Sequence, residues 1–163
     1  MKAERCIVLC FAFAGDRLGG SHISLKGLLD ELPKNLYRIV LVLEIPDGRI
    51  ADYFSAYEQI RDPCALDKPF EVGRSFGIGS ALRTVPRAIG RAKLLKDLQV
   101  DIVHTNDGRT HASWALAAKL SGARMVWHHR GDPGARGTGM VAPILADQIL
   151  SVSDYALPAR RWG

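Results

Sequence analysis

Four groups of residues carry the side chains and backbone that could do chemistry. Gly19, Gly20 and Ser21 end a turn and open a helix-like stretch. Asn106 and Asp107 close the segment DIVHTND at 101–107. His128, Arg130 and Asp132 fall in RMVWHHRGD at 124–132. Arg83, Arg87 and Arg91 stand four apart and make one stripe on a helix, with Lys93 and Lys96 nearby. Glycines let backbone N–H groups approach ligand oxygens, and a helix N-terminus favours a diphosphate. Arginine grips phosphate or carboxylate through a planar fork. These residue types suit an oxygen-rich, anionic ligand.

Other chemistries fit less well. Gly15 and Gly20 flank four residues, as in a P-loop, but Ser21-His22 stand where Lys-Ser/Thr must be. The phosphate-binding cation of that motif is missing. Gly15, Gly19 and Gly20 do not make G-x-G-x-x-G, and Gly77-Ile78-Gly79 fails where Leu82 takes the third glycine's place. His128 and His129 are adjacent, so they point to opposite faces of a strand, and His104 inside a strand reads as a satisfied core histidine. No metal site is expected. The three cysteines lack metal-ligand spacing. Cys6 and Cys10 are expected on one face of the first strand and Cys64 after a proline, all as small core residues with reduced thiols in a cytoplasmic protein.

The elements that must position these groups follow from hydrophobic patterning. Residues 6–14 form an apolar run and read as a buried strand. Lys2, Arg5 and Ala12-Phe13-Ala14 also resemble an export signal with its cleavage site. Glu4, the shortness of the run and the helix that follows favour the strand. Leu25, Leu28, Leu29 and Leu32 line one helix face, with Ser21 as its cap and Pro33 as its stop. Residues 36–45 read as a strand covered on both faces, and Ile50, Tyr53, Phe54 and Tyr57 recur at helical spacing. Residues 61–79 read as loop with a short strand near Phe70–Val72. A helix is expected from Thr84 to about Leu98, with Pro86 in its first turn. Strands at 100–105, 124–129 and 148–152 alternate with helices at 109–120 and 141–146, and Gly122 closes the first of these. A glycine-rich loop covers 131–139.

This alternation predicts a single α/β domain, doubly wound around a mainly parallel, Rossmann-like sheet with helices on both faces. No run is long enough to span a bilayer. Charge is uneven. Residues 1–72 carry nine Lys/Arg against eleven Asp/Glu, and residues 73–163 carry thirteen against six. A basic half points to an anionic partner such as phosphate, nucleotide or a membrane surface. It lacks interleaved aromatics, so nucleic acid is not expected.

The series Gly19-Gly20-Ser21, DIVHTND, RMVWHHRGD and ADQILSVSD at 146–154 resembles the N-terminal domain of GT-B glycosyltransferases, in particular the large retaining family 4. The resemblance covers nearly the whole chain. It implies an acceptor-binding half, a nucleotide-sugar donor in the full enzyme, and an acceptor that is a saccharide or lipid-linked. The arginine stripe reads as a solvated helix face or, since many transferases of this family work on lipid-linked acceptors, as peripheral contact with anionic lipid at the inner face of the membrane. The family's donor-binding half carries a glutamate pair written E-x7-E. No two of Glu4, Glu31, Glu44, Glu58 and Glu71 are eight apart. A C-terminal donor-binding domain is therefore expected from further sequence or a separate chain, and this chain alone should be inactive. The resemblance places Gly19, Gly20 and Ser21 against donor phosphate, and Asn106, Asp107, Arg130 and Asp132 against substrate. The family's histidine beside the transferred sugar matches either His128, as a catalytic candidate, or the position of Arg130, which would then anchor phosphate or acceptor. The other reading is a non-catalytic module of this fold that binds a phosphate ligand or docks on membranes.

Overall fold

The computed structural model describes residues 5–65, 78–131 and 142–157, without the side chains of 78–84, 112, 142 and 143. Six strands form one sheet: β1 (Ile7–Phe13), β2 (Tyr37–Leu43), β3 (Glu58–Arg61), β4 (Ile102–Thr105), β5 (Arg124–His129) and β6 (Gln148–Ser151). Their order is β3-β2-β1-β4-β5-β6, with every neighbouring pair parallel. Among the described residues five helices connect them: α1 (Gly20–Glu31), α2 (Arg49–Tyr53), α3 (Ile78–Asp97), α4 (Gly108–Ser121) and α5 (Ala142–Leu145). The strand order reverses between β1 and β4, which is the switch point of a doubly wound sheet.

Burial on both faces explains the continuous apolar runs. Cys10, Ala12, Val40, Val42, Val103 and Met125 pack against Ala88, Ala92 and Leu95 of α3 and Trp114, Ala115 and Ala118 of α4. The alternate residues Leu9, Phe11, Phe13, Leu41 and Leu43 pack against Leu25 and Leu29 of α1 and Ile50 and Phe54 around α2. Alanines on α3 and α4 let the two helices approach closely beneath the sheet.

Two aspartates fix strand register at the amino edge in the same way. Asp101 donates its N–H to Val8 O (3.0 Å) and accepts Val8 N–H on its carboxylate (2.8 Å). Asp147 donates to Met125 O (2.9 Å) and accepts Met125 N–H (2.7 Å). Each ring joins the residue before one strand to the start of its neighbour.

Several sequence expectations need correction. The third strand is the polar segment Glu58–Arg61, so Tyr57 stands outside α2, and Phe70–Val72 lie outside the described residues. Helix α3 begins at Ile78, so Pro86 sits inside it and not in its first turn. Gly19, not Ser21, is the N-cap of α1, and Leu28 is exposed. Cys6 precedes β1 and is exposed, with its thiol donating to Asn35 O, so it is not a core residue. Cys10 is buried in the core as expected. Gly122 closes α4 in the left-handed conformation (φ 87°) that glycine adopts without strain.

Candidate functional site

The carboxyl ends of β1, β4 and β5 form the edge where a parallel sheet binds ligands. Three loops meet there. After β1 the chain turns at Gly15 (φ 72°), whose N–H donates to Glu44 Oε2 at 2.9 Å. A Cβ at Gly15 would stand 2.8 Å from Arg109 Nη2, which itself donates to Ala14 O at 3.0 Å. The turn is thus tied both to β2's end and to α4. Asp16 then accepts Ile50 N–H at 3.0 Å and caps α2 from another loop. These amide bonds hold its carboxyl below the usual range.

Gly19 and Gly20 open α1 at this edge. Both are exposed, and a Cβ on either would meet nothing within 4 Å. His22 completes the turn. Its Nδ1 accepts Gly19 N–H at 3.2 Å, and its ring stacks on Phe13 with centroids 5.6 Å apart. Ser21 Oγ lies 3.3 Å from the same Nδ1. Burial holds the His22 pKa below its ordinary value; nearby Arg130 adds to that and Asp107 opposes it. The first, fourth and fifth loops therefore share one electrostatic environment.

Asp107 caps α4 by accepting the N–H groups of Arg109 (2.8 Å) and Thr110 (3.0 Å). Asn106 beside it is only 9% exposed, and among the described residues neither its amide nitrogen nor its amide oxygen has a partner. An unpaired buried amide costs free energy unless something else satisfies it. At the end of β5, Arg130 is half-buried with its Nε unpartnered among the described residues, and burial lowers its pKa. Its Nη2 lies 3.4 Å from His128 Nδ1, and His104 Nε2 lies 3.3 Å from the same atom. The His104 and His128 rings stack at 5.4 Å, and His104 also faces Phe11. Burial, with His128 and the Arg130 guanidinium opposing a further positive charge, pushes the His104 pKa down to about 4. Burial likewise takes His111 down to about 3; it hydrogen-bonds Thr105 and stacks on Trp127 at 4.2 Å.

Solved structures of similar architecture match across most of the chain. MurG of Acinetobacter baumannii has a TM-score of 0.63 at 15% identity, with 96% of this chain covering 44% of that one. Anabaena HepE, solved with UDP-glucose, has a TM-score of 0.59 at 14% identity, over 88% of this chain and 36% of that one. A glycosyltransferase from Rickettsia africae gives 0.57 at 16% identity, over 92% and 38%. The fold is that of the N-terminal domain of GT-B glycosyltransferases. No family model matches the chain, and no curated protein matches it in sequence. The chain spans less than half the length of these solved structures.

The expected residues Gly19, Gly20, Ser21, Asn106, Asp107, His128 and Arg130 fall on loops or strand ends of one sheet edge. Asp132 lies outside the described residues, as does the side chain of Arg83. The arginine stripe is not one exposed surface. Arg91 is only 4% exposed and is paired with Asp62, and Arg87 is half-buried. Among the described residues no group of three or more His, Cys, Asp or Glu is placed to hold a metal ion. No described helix is long and apolar enough to cross a membrane. Sequence reasoning missed His22 and Arg109. His22 occupies the last position of a failed P-loop and was readable only as an absence of Ser/Thr. Arg109 gave no signal, because its partner Ala14 O is 95 residues away.

Proposed function

We propose that this chain is the acceptor-side half of a glycosyltransferase that moves a sugar from a nucleotide-sugar donor, with a second domain or chain binding the donor. One observation carries the reading. Open glycines at a helix start, an unpaired buried amide and an arginine with an unpartnered Nε share the switch-point edge of a GT-B domain. Gly19 and Gly20 leave room for phosphate oxygens to reach the first amides of α1. Asn106 and Arg130 supply polar groups for the acceptor or phosphate, and His128 stands beside the transferred sugar. Asp107 acts by holding the α4 start in place. The test is sugar transfer from nucleotide sugars by the purified chain, alone and with the donor-binding domain added. Transfer is expected only with both. Turnover by the chain alone overturns the division of labour. Failure with the donor domain present, alongside retained phosphate binding, favours a non-catalytic binding module.

A second reading concerns location. Val85 and Ile89 of α3 and Leu120 of α4 are exposed, Ile89 by 58%. Ile89 and Leu120 line one groove with Ala92, Lys93, Lys96 and Asp97. Apolar side chains flanked by lysines suit a shallow contact with anionic lipid. This face, in place of the arginine stripe, is the proposed membrane contact at the cytoplasmic surface.

A further inference from the structure

The contacts of His128 restrict what its imidazole can do. Arginine carries only donors, so the Arg130 Nη2 group 3.4 Å from His128 Nδ1 must donate to it. Nδ1 therefore carries a lone pair and no proton. His104 Nε2 approaches the same lone pair at 3.3 Å, and two bare nitrogens would repel, so His104 is protonated there and donates as well. A neutral imidazole bare at Nδ1 carries its proton at Nε2. That nitrogen has no hydrogen-bond partner among the described residues, and the side chain is half-buried at the ligand edge.

We infer that Arg130 and His104 lock His128 in its Nε2–H tautomer, so that it serves the site as a neutral hydrogen-bond donor to a substrate oxygen and not as a base. With Nδ1 occupied by two donors and Nε2 already protonated, neither nitrogen offers a free lone pair. A proton added at Nδ1 would break both contacts and place a second positive charge directly beside Arg130. The groups around it reinforce this: Arg130 from its own strand end, His104 from β4 and His111 from α4 carry no negative charge. The other imidazole of this edge is held alike. Gly19 N–H can only donate, so His22 Nδ1 is bare and its proton is also on Nε2. The edge thus presents two imidazole N–H donors, suited to phosphate or sugar oxygens.

The tautomer lock stands independently of sugar transfer, whereas the identity of the oxygen it meets rests on the proposed function. Long-range nitrogen–proton NMR of the ¹⁵N-labelled chain reads the tautomer directly. His128 is expected as Nε2–H near neutral pH. A predominant Nδ1–H form, or an even mixture, overturns the inference before any variant is made. Arg130→Met is then expected to raise the Nδ1–H share relative to Nε2–H by about fivefold, the worth of one ordinary hydrogen bond. A dispersed amide spectrum reports that the variant folds. An unchanged ratio in the folded variant overturns the arginine's role. Absence of sugar transfer by the native chain with the donor-binding domain added, the tautomer being as expected, counts against the proposed function and leaves the lock standing.

Discussion

Arg91 in the middle of α3 holds Asp62, the residue after β3, through its guanidinium. Nε reaches the two carboxylate oxygens at 3.2 and 3.0 Å, and Nη2 reaches one of them at 2.6 Å. Nη1 also donates to Ser113 O at 3.2 Å, and the guanidinium lies over the Trp114 ring at 5.1 Å. One side chain therefore joins α3, α4 and the end of β3. Both partners are buried, so removing one leaves an uncompensated charge. Arg91→Ala is expected to cost about 3–5 kcal/mol of folding stability, read from urea unfolding. A loss no larger than that of an exposed ion pair would show that water replaces the arginine.

Membrane contact has its own test. Neutralising Arg83, Arg87 and Arg91 together would confound docking with unfolding, because Arg91 is structural. Ile89→Glu and Lys93→Glu change only exposed positions. Vesicles containing anionic lipid are expected to retain the native chain, less so at high salt, and to lose the double variant. Equal retention of both proteins would remove this face from consideration.

Gly20→Val should leave the fold intact, since its Cβ meets nothing within 4 Å. In the complete two-domain enzyme it is expected to lower turnover on the order of tenfold or more, by obstructing one charge-assisted hydrogen bond of about 1.5–3 kcal/mol. Wild-type activity would reduce the turn to a connector. A mature N-terminus at or near Gly15, seen by mass spectrometry, would make the first strand an export signal instead.

Low pH should destabilise the fold through its buried imidazoles. His104 and His111 have folded pKa values lowered to about 4 and about 3. The unfolded chain binds protons at about 6.5, so it takes up more of them as pH falls below that value. The stability these groups contribute is complete above about pH 6.5 and is lost as pH falls toward 4 and 3. Each contributes a slope of at most about 1.4 kcal/mol per pH unit. Urea midpoints between pH 7 and 4 measure it, and His111→Phe should flatten the curve.

Thiol chemistry should separate the cysteines. Burial pushes the Cys10 thiol up to about 12, with nearby Asp62 adding to the effect. Cys6 is exposed. Iodoacetamide at mildly alkaline pH is expected to alkylate Cys6 in the folded chain and Cys10 only after unfolding, as mapped by peptide mass spectrometry.

Five of the six strands were legible because burial on one or both faces wrote apolar runs into the sequence. Strand β3 was not. It is an edge strand of sequence EQIR, and its exposed Glu58 is paired with Arg38 of β2, a contact with no local signature. Arg91 misled for the opposite reason: helical spacing matched a solvated stripe, while the acid that buries it is 29 residues away. Pro86 was read as a helix start because proline fits a first turn, yet α3 carries it inside. The site's backbone positions were readable from glycines and strand ends. Its side-chain wiring was not, since His22, His104, Arg109 and Arg130 meet partners supplied by the fold.

The ring between Val8 and Asp101 spans 93 residues of sequence. It is the seam between two half-sheets, β3-β2-β1 and β4-β5-β6, each of which is contiguous in the chain. Either half can assemble from neighbouring segments, but the ligand edge exists only once the halves have joined. A molecule bridging the β1 and β4 loops would therefore bind the joined state alone and act as a thermodynamic staple. At 100 times its dissociation constant it would add about 2.7 kcal/mol to folding. Substrate for this domain would thus also be its folding ligand, and a rise in melting temperature would reveal it before any reaction is found.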